Sequence, residues 1–138
     1  MRSTALARRL TPVLFVLIVC GVVTGLMRLK GHALIWHNAV PGWVERLSAD
    51  DLRAAFARHI RSVAAHYRGQ VFAWDVVNEA VADDGSGLRD TVFRQKLGDG
   101  YIADAFRLAH EADPQALLFY NDYGAAYLSM SWSLPSLN

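Results

Sequence analysis

The sequence predicts an α/β fold in which parallel strands alternate with crossover helices, and three observations carry that prediction. Short apolar runs end in polar clusters at three places: His37, Asn78 with Glu79, and Asn121 to Tyr123. Stretches of helical period with recognisable caps stand between those runs. No internal repeat interrupts the order, so the pattern reads as successive strand, helix, strand units, whose crossovers are right-handed almost without exception.

The first segment lies outside that pattern. Arg2, Arg8 and Arg9 precede an apolar run over residues 13–27, and Arg28 and Lys30 follow it. This order of charge and apolarity resembles a secretory signal or short membrane anchor over residues 1–25, with a possible membrane contact through 13–27. A Val-rich buried helix or strand is the alternative. Cys20 stands alone within the run, so one chain can build neither a disulfide framework nor a thiolate metal site.

From residue 26 to 127 the alternating elements follow in order. An apolar run from Arg28 to Trp36 predicts a buried strand, which His37-Asn38 ends and Pro41-Gly42 turns into a loop. Ser48 caps the next helix with Asp51 three residues on, and Leu52, Ala55, Phe56, Ile60, Val63 and Tyr67 share its inner face before Gly69 stops it. A second strand over Val71 to Val77 runs into Asn78-Glu79. Asp83 to Gly87 reads as an exposed loop, Thr91 to Leu97 as a short helix stopped by Gly98, and Tyr101 to Ala112 as a longer one broken by Asp113-Pro114. Its apolar face holds Ile102, Ala105, Phe106 and Ala109. The third strand, from Ala116 to Tyr120, ends in Asn121, Asp122 and Tyr123. Residues 128–138 have no period and read as an irregular tail.

In parallel α/β architectures the loops beyond the strand C-termini converge on one face and carry the chemistry. The polar clusters fall on that face. A net charge of +1 gives no electrostatic reason for a nucleic-acid partner and suits a neutral substrate.

The clusters also carry a resemblance. The run from Arg28 to His37 (RLKGHALIWH) with Pro41 to Trp43 resembles the third barrel strand and loop of family 10 glycoside hydrolases; Trp74 to Ala80 (WDVVNEA) is similar to the fourth, and Leu118 to Tyr123 (LFYNDY) to the fifth. The resemblance implies a partial (β/α)8 TIM barrel and retaining endo-1,4-β-xylanase chemistry on xylan or xylo-oligosaccharide, with no cofactor and no metal. It implies Glu79 as the acid/base, Asn78 on the 2-hydroxyl of the sugar beside the scissile bond, His37 and Trp43 in the glycone subsites, and Asn121 and Tyr123 at the floor or wall of the cleft. The family's first two strands and its nucleophile motif have no counterpart here. At 138 residues the chain is also shorter than the roughly 250 that a whole barrel needs. An incomplete, inactive fragment is therefore expected, secreted or membrane-anchored outside the cytoplasm. A membrane-tethered carbohydrate-binding remnant and a half that rebuilds the barrel with a complementing chain are the alternatives.

The residues themselves admit blander roles. Glu79 ends a strand apolar enough to suit a desolvated site, yet a glutamate there could equally face the dipole of a following helix. Strict alternation sends Asn78 and Glu79 to opposite faces, so the chain must turn between them for both to meet one sugar. Asp75 reads as a buried hydrogen-bonding residue, and Asp122 as a carboxylate beside the acid. His32 and His37 lack a third ligand for a metal, and His32 reads as packed core. His59, His66 and His110 read as solvated or partly packed helix residues. Trp43, in a loop, suits sugar stacking better than Trp36 or Trp74, which read as core.

Overall fold

The computed structural model describes residues 28–123. The segment over residues 1–25 and the tail over 128–138 lie outside those residues. The elements run β1 (Leu29–Trp36), α1 (Ala49–His66), β2 (Val71–Asn78), α2 (Val92–Leu97), α3 (Tyr101–Ala112) and β3 (Leu117–Asn121). Two 3-10 turns, His37–Ala39 and Val44–Arg46, shape the loop after β1.

All three strands are parallel, in the order β1, β2, β3. Each crossover therefore returns the chain to the same end of the sheet, and the strand ends align: Trp36 stands beside Asn78, and Asn78 beside Asn121. Register slips between His32 and Ile35 and between Asp75 and Val77 bend the strands just before those ends. Such bulges re-aim side chains near sites.

The helices form where their caps direct. The Ser48 hydroxyl accepts the Asp51 backbone N–H at 3.1 Å and donates to the Asp51 carboxylate at 2.7 Å, satisfying the first turn of α1. Leu52, Phe56, Ile60 and Ala64 are buried along its inner face. Tyr67 departs from the expectation: it caps the helix and is 42% exposed, its ring leaning on Trp74. Thr91 caps α2, and Gly98 ends it at φ 82°, a conformation that favours glycine. Along α3, Tyr101, Ala105, Leu108 and Ala109 are buried.

One apolar layer joins helices to sheet, with Phe56, Phe93 and Tyr101 in mutual ring contact and Trp74 buried against Gly31. Alternation along the strands puts Asp75, opposite in parity to Trp74, on the other face of the sheet. That face carries Lys30, whose Nζ lies 2.5 Å from the Asp75 carboxylate and 5.0 Å over the Phe119 ring. It also carries His32, and here the core expectation fails. The His32 side chain is 45% exposed and pairs with Asp75 at 2.9 Å, because it points away from the helices. No helix among the described residues is long and apolar enough to cross a membrane.

Candidate active site

The C-terminal strand ends bring the polar clusters together around Glu79. The glutamate follows the last residue of β2 and has φ 52°, in the left-handed region. This is the turn that strand alternation demanded, and it costs a non-glycine residue energy that the surroundings must offset. No helix begins there, since the chain continues as loop until α2, so the helix-dipole reading of Glu79 falls away.

The surroundings hold the turn from several sides. The Glu79 N–H donates to the Asn121 carbonyl at 2.8 Å. The Ala80 and Val81 N–H groups donate to the Tyr120 hydroxyl at 3.0 and 3.1 Å, and Val81 also reaches the Asp122 carboxylate at 3.2 Å. Tyr120 donates in turn to Asp122. Burial pushes the Tyr120 phenol well above its usual range, and the bond to Asp122 adds to the effect, so it remains a donor. Asp122 is thus tied to the backbone beside Glu79, as its place in the strand order suggested.

Glu79 is 8% exposed. Its Oε2 accepts the Trp36 Nε1–H at 2.9 Å, a bond from the end of the neighbouring strand. Trp36 is therefore a site residue and only half-buried; the expectation of plain core misjudged it. No local signal in β1 marks it, because its partner lies 43 residues on. Trp74, by contrast, is core at 5% exposure.

Asn78 is buried, and its side-chain oxygen accepts from Asn121 Nδ2 at 2.7 Å. That bond turns the nitrogen of the Asn78 amide away from Asn121. His37 is half-buried beyond β1, with a buried Nδ1 that has no hydrogen-bond partner. Burial lowers its pKa first and the Arg89 charge lowers it further, against weaker pulls from Glu79, Asp83 and Asp122. Those groups consequently share one electrostatic neighbourhood. Trp43 sits in the same loop, 51% exposed, and Lys96 tethers that loop by donating to the Glu45 and Leu47 carbonyls at 2.6 Å. Tyr123, 85% exposed, lies two residues beyond the end of β3 and is the least enclosed of the expected site residues.

Sequence reasoning also passed over Arg89. Its guanidinium donates to the Glu79 carbonyl at 3.1 Å and the Val81 carbonyl at 3.0 Å, while Asp83 holds it at 2.6 Å. Among the described residues no group of three or more His, Cys, Asp or Glu side chains could hold a metal ion. What the arrangement offers is one sheltered carboxyl with an indole donor, an oriented amide and an imidazole kept neutral. Such a set can deliver and retrieve a proton beside a bound neutral molecule.

Polar side chains gathered on one end of a helix-backed parallel sheet define the parallel α/β class, barrels and open sheets alike, in which that end carries the chemistry. Comparison with known proteins narrows the class. Residues 21–131 match Glycosyl hydrolase family 10, and the chain belongs to that family. It is 49% identical over 105 residues to an endo-1,4-beta-xylanase of Geobacillus stearothermophilus, covering 71% of this chain and 32% of that protein. A beta-1,4-xylanase of Dictyoglomus thermophilum is 48% identical over 98 residues, covering 70% of this chain and 28% of its own length. Among solved structures, xylanase 10B from Thermotoga petrophila in complex with xylobiose superposes with a TM-score of 0.66 at 45% identity, over 70% of this chain and 30% of that one. A xylanase from Paenibacillus barcinonensis gives 0.71 at 41% identity, over 80% and 35%. The chain thus spans about a third of the length of the relatives it matches, and its fold is a slice of their barrel.

Proposed function

We propose that Glu79 is the acid/base of a retaining β-1,4-xylan hydrolase and that this chain supplies only that half of the chemistry. The observation that supports the reading best is the buried Glu79 carboxyl, turned into the strand-end face by a left-handed backbone and bonded to Trp36. Retaining hydrolysis uses two carboxyl groups about 5 Å apart. Glu79 protonates the departing glycosidic oxygen, then takes a proton from the water that releases the sugar. Asn78 donates to the 2-hydroxyl beside the scissile bond, and its bond to Asn121 sets the amide for that role. His37, kept neutral, and Trp43, with an open ring, line the glycone side; Asn121 and Tyr123 border the cleft. Xylan or xylo-oligosaccharide is the substrate class, which fits the near-zero charge and the xylobiose bound by a relative.

The nucleophile is another matter. Asp122, the nearest candidate in strand order, is engaged on the backbone beside Glu79, so the 138-residue chain alone does not turn over xylan at an intact enzyme's rate. A second reading, a half that pairs with a complementing polypeptide, is favoured by the apolar side chains open on β3, Leu117 at 54% and Phe119 at 44%. The arginine-flanked apolar run of residues 13–27 supports an extracytoplasmic location, where a polymeric substrate is accessible. Reducing-sugar release from xylan, with Glu79→Gln as control, tests the first reading. Background release from both proteins is expected; turnover abolished by the substitution would mean that another carboxylate, Asp122 first, serves as nucleophile.

A further inference from the structure

The loop from Val81 to Leu88 leaves the site and returns to it, closed by an antiparallel bridge between its ends. Arg89 follows that bridge and points back beneath Glu79. Its Nε donates to the Glu79 carbonyl, one Nη to the Val81 carbonyl and, with the other, to both oxygens of Asp83 at 2.6 and 3.3 Å. The bonds bracket the left-handed residue: one accepting carbonyl belongs to Glu79 itself and the other lies two residues on. Tyr120 and Asp122 grip the N–H groups of Ala80 and Val81 in the same stretch.

We propose that Arg89, keyed by Asp83, is a positioning residue that holds the Glu79 backbone in its left-handed turn and thereby keeps the carboxyl on the Trp36 indole. The role rests on the acid/base reading of Glu79 for its catalytic meaning, although the geometry it controls exists without substrate. Guanidinium suits it because a planar fork can bond two carbonyls and a carboxylate at once, which a lysine ammonium on a single flexible stem does not reproduce. Released from the fork, the turn relaxes toward ordinary φ, and strand alternation would carry the carboxyl off the face that holds Trp36. Asp83 is exposed and its carboxyl lies below the usual carboxylate range, first through its bond to Arg89 and then through that charge. The pair therefore stays ionised wherever the chain is folded near neutrality.

The test is nuclear magnetic resonance of the full chain labelled with 15N-tryptophan in detergent micelles, which suit its apolar first segment. Four indole N–H signals are available, from Trp36, Trp43, Trp74 and Trp132. Glu79→Ala identifies the Trp36 signal and gives its position without the bond. In Arg89→Met the Trp36 signal should move most of the way to that position and its solvent exchange should rise about tenfold, as for a lost side-chain hydrogen bond. Arg89→Lys should shift it in the same direction. The Trp74 signal, from a core ring on Gly31, should stay in place and report an intact fold. A Trp36 signal unmoved in Arg89→Met beside an unmoved Trp74 overturns the proposal, as does a Glu79→Ala chain in which no indole signal moves. Should Arg89→Met fail to fold, Asp83→Asn is read by the same criterion: a shift toward the Glu79→Ala position supports the clamp, and an unmoved signal overturns it. None of these readouts involves turnover, so a failure of the acid/base reading would leave them distinct.

Discussion

Glu79 accepts the Trp36 indole N–H while almost enclosed, so losing that donor leaves a sheltered carboxyl short of a partner. Trp36→Phe should destabilise the chain by about 1–3 kcal/mol, the cost of leaving a buried polar group short of its partner, in urea unfolding. His37 makes a separate, pH-dependent contribution. Its folded pKa lies below the ordinary 6.5, through burial first and the Arg89 charge second, so the unfolded chain takes up the proton before the folded one. Its share of stability is complete above pH 6.5 and is lost as pH falls through the window beneath that value. Unfolding free energies between about pH 7 and pH 5 should fall more steeply in the wild type than in His37→Gln, which does not titrate. Parallel slopes would remove His37 from the account. At this scale the sequence was informative about residues that end strands and silent about those that reach them from elsewhere. Glu79, Asn78 and His37 were visible because polar residues after apolar runs mark a strand terminus. Trp36 and Arg89 were not: one works across a strand pair and the other through a loop that returns ten residues later, and neither partner is set by local spacing.

The elements were more legible, because their punctuation is chemical. Ser48 with Asp51, Thr91 and Gly98 each mark a helix end by a bond or a backbone conformation that few residues provide. Ser48→Ala should cost about 0.5–2 kcal/mol as the capping oxygen is lost. The register slips were not legible, since a bulge leaves no mark in apolar composition, and neither was the outward face of His32, because a slice of sheet covered by helices on one side alone does not bury both faces of β1. Gly31 is a sharper test of how β1 lies on β2. A methyl group there would meet the Trp74 ring at 2.1 Å, whereas one at Gly42 meets nothing within 4 Å. Gly31→Ala should therefore destabilise by about 1–3 kcal/mol or more, as overpacked sites do. Gly42→Ala should stay within about 0.5 kcal/mol of the wild type. Equal effects of the two substitutions would contradict the observed seating of Trp74.

At the scale of the molecule, the sheet that the described residues form is open. Among the described residues no strand pairs with the outer edges of β1 and β3, and the sheet face away from the helices leaves Leu117 and Phe119 open. Open edges and apolar patches promote association. The chain should bind a hydrophobic dye such as ANS and self-associate as concentration rises, and a strictly monomeric, dye-silent protein would be at odds with an open sheet. The family fold was readable in the sequence because three strand-end motifs stand in register with helices between them. The relatives are about three times as long as the region matched. Replacing the matching region of the Geobacillus stearothermophilus xylanase with residues 28–123 would set Glu79 within a full-length relative. The measurement is kcat/KM of that chimera and of its Glu79→Ala variant on aryl xylobiosides with good and poor leaving groups. If Glu79 is the acid/base, the variant should lose on the order of 10²–10⁴-fold with a poor leaving group, which needs the proton, and far less with a good one, which does not. Equal losses on both substrates, or none on either, would contradict the assignment of Glu79.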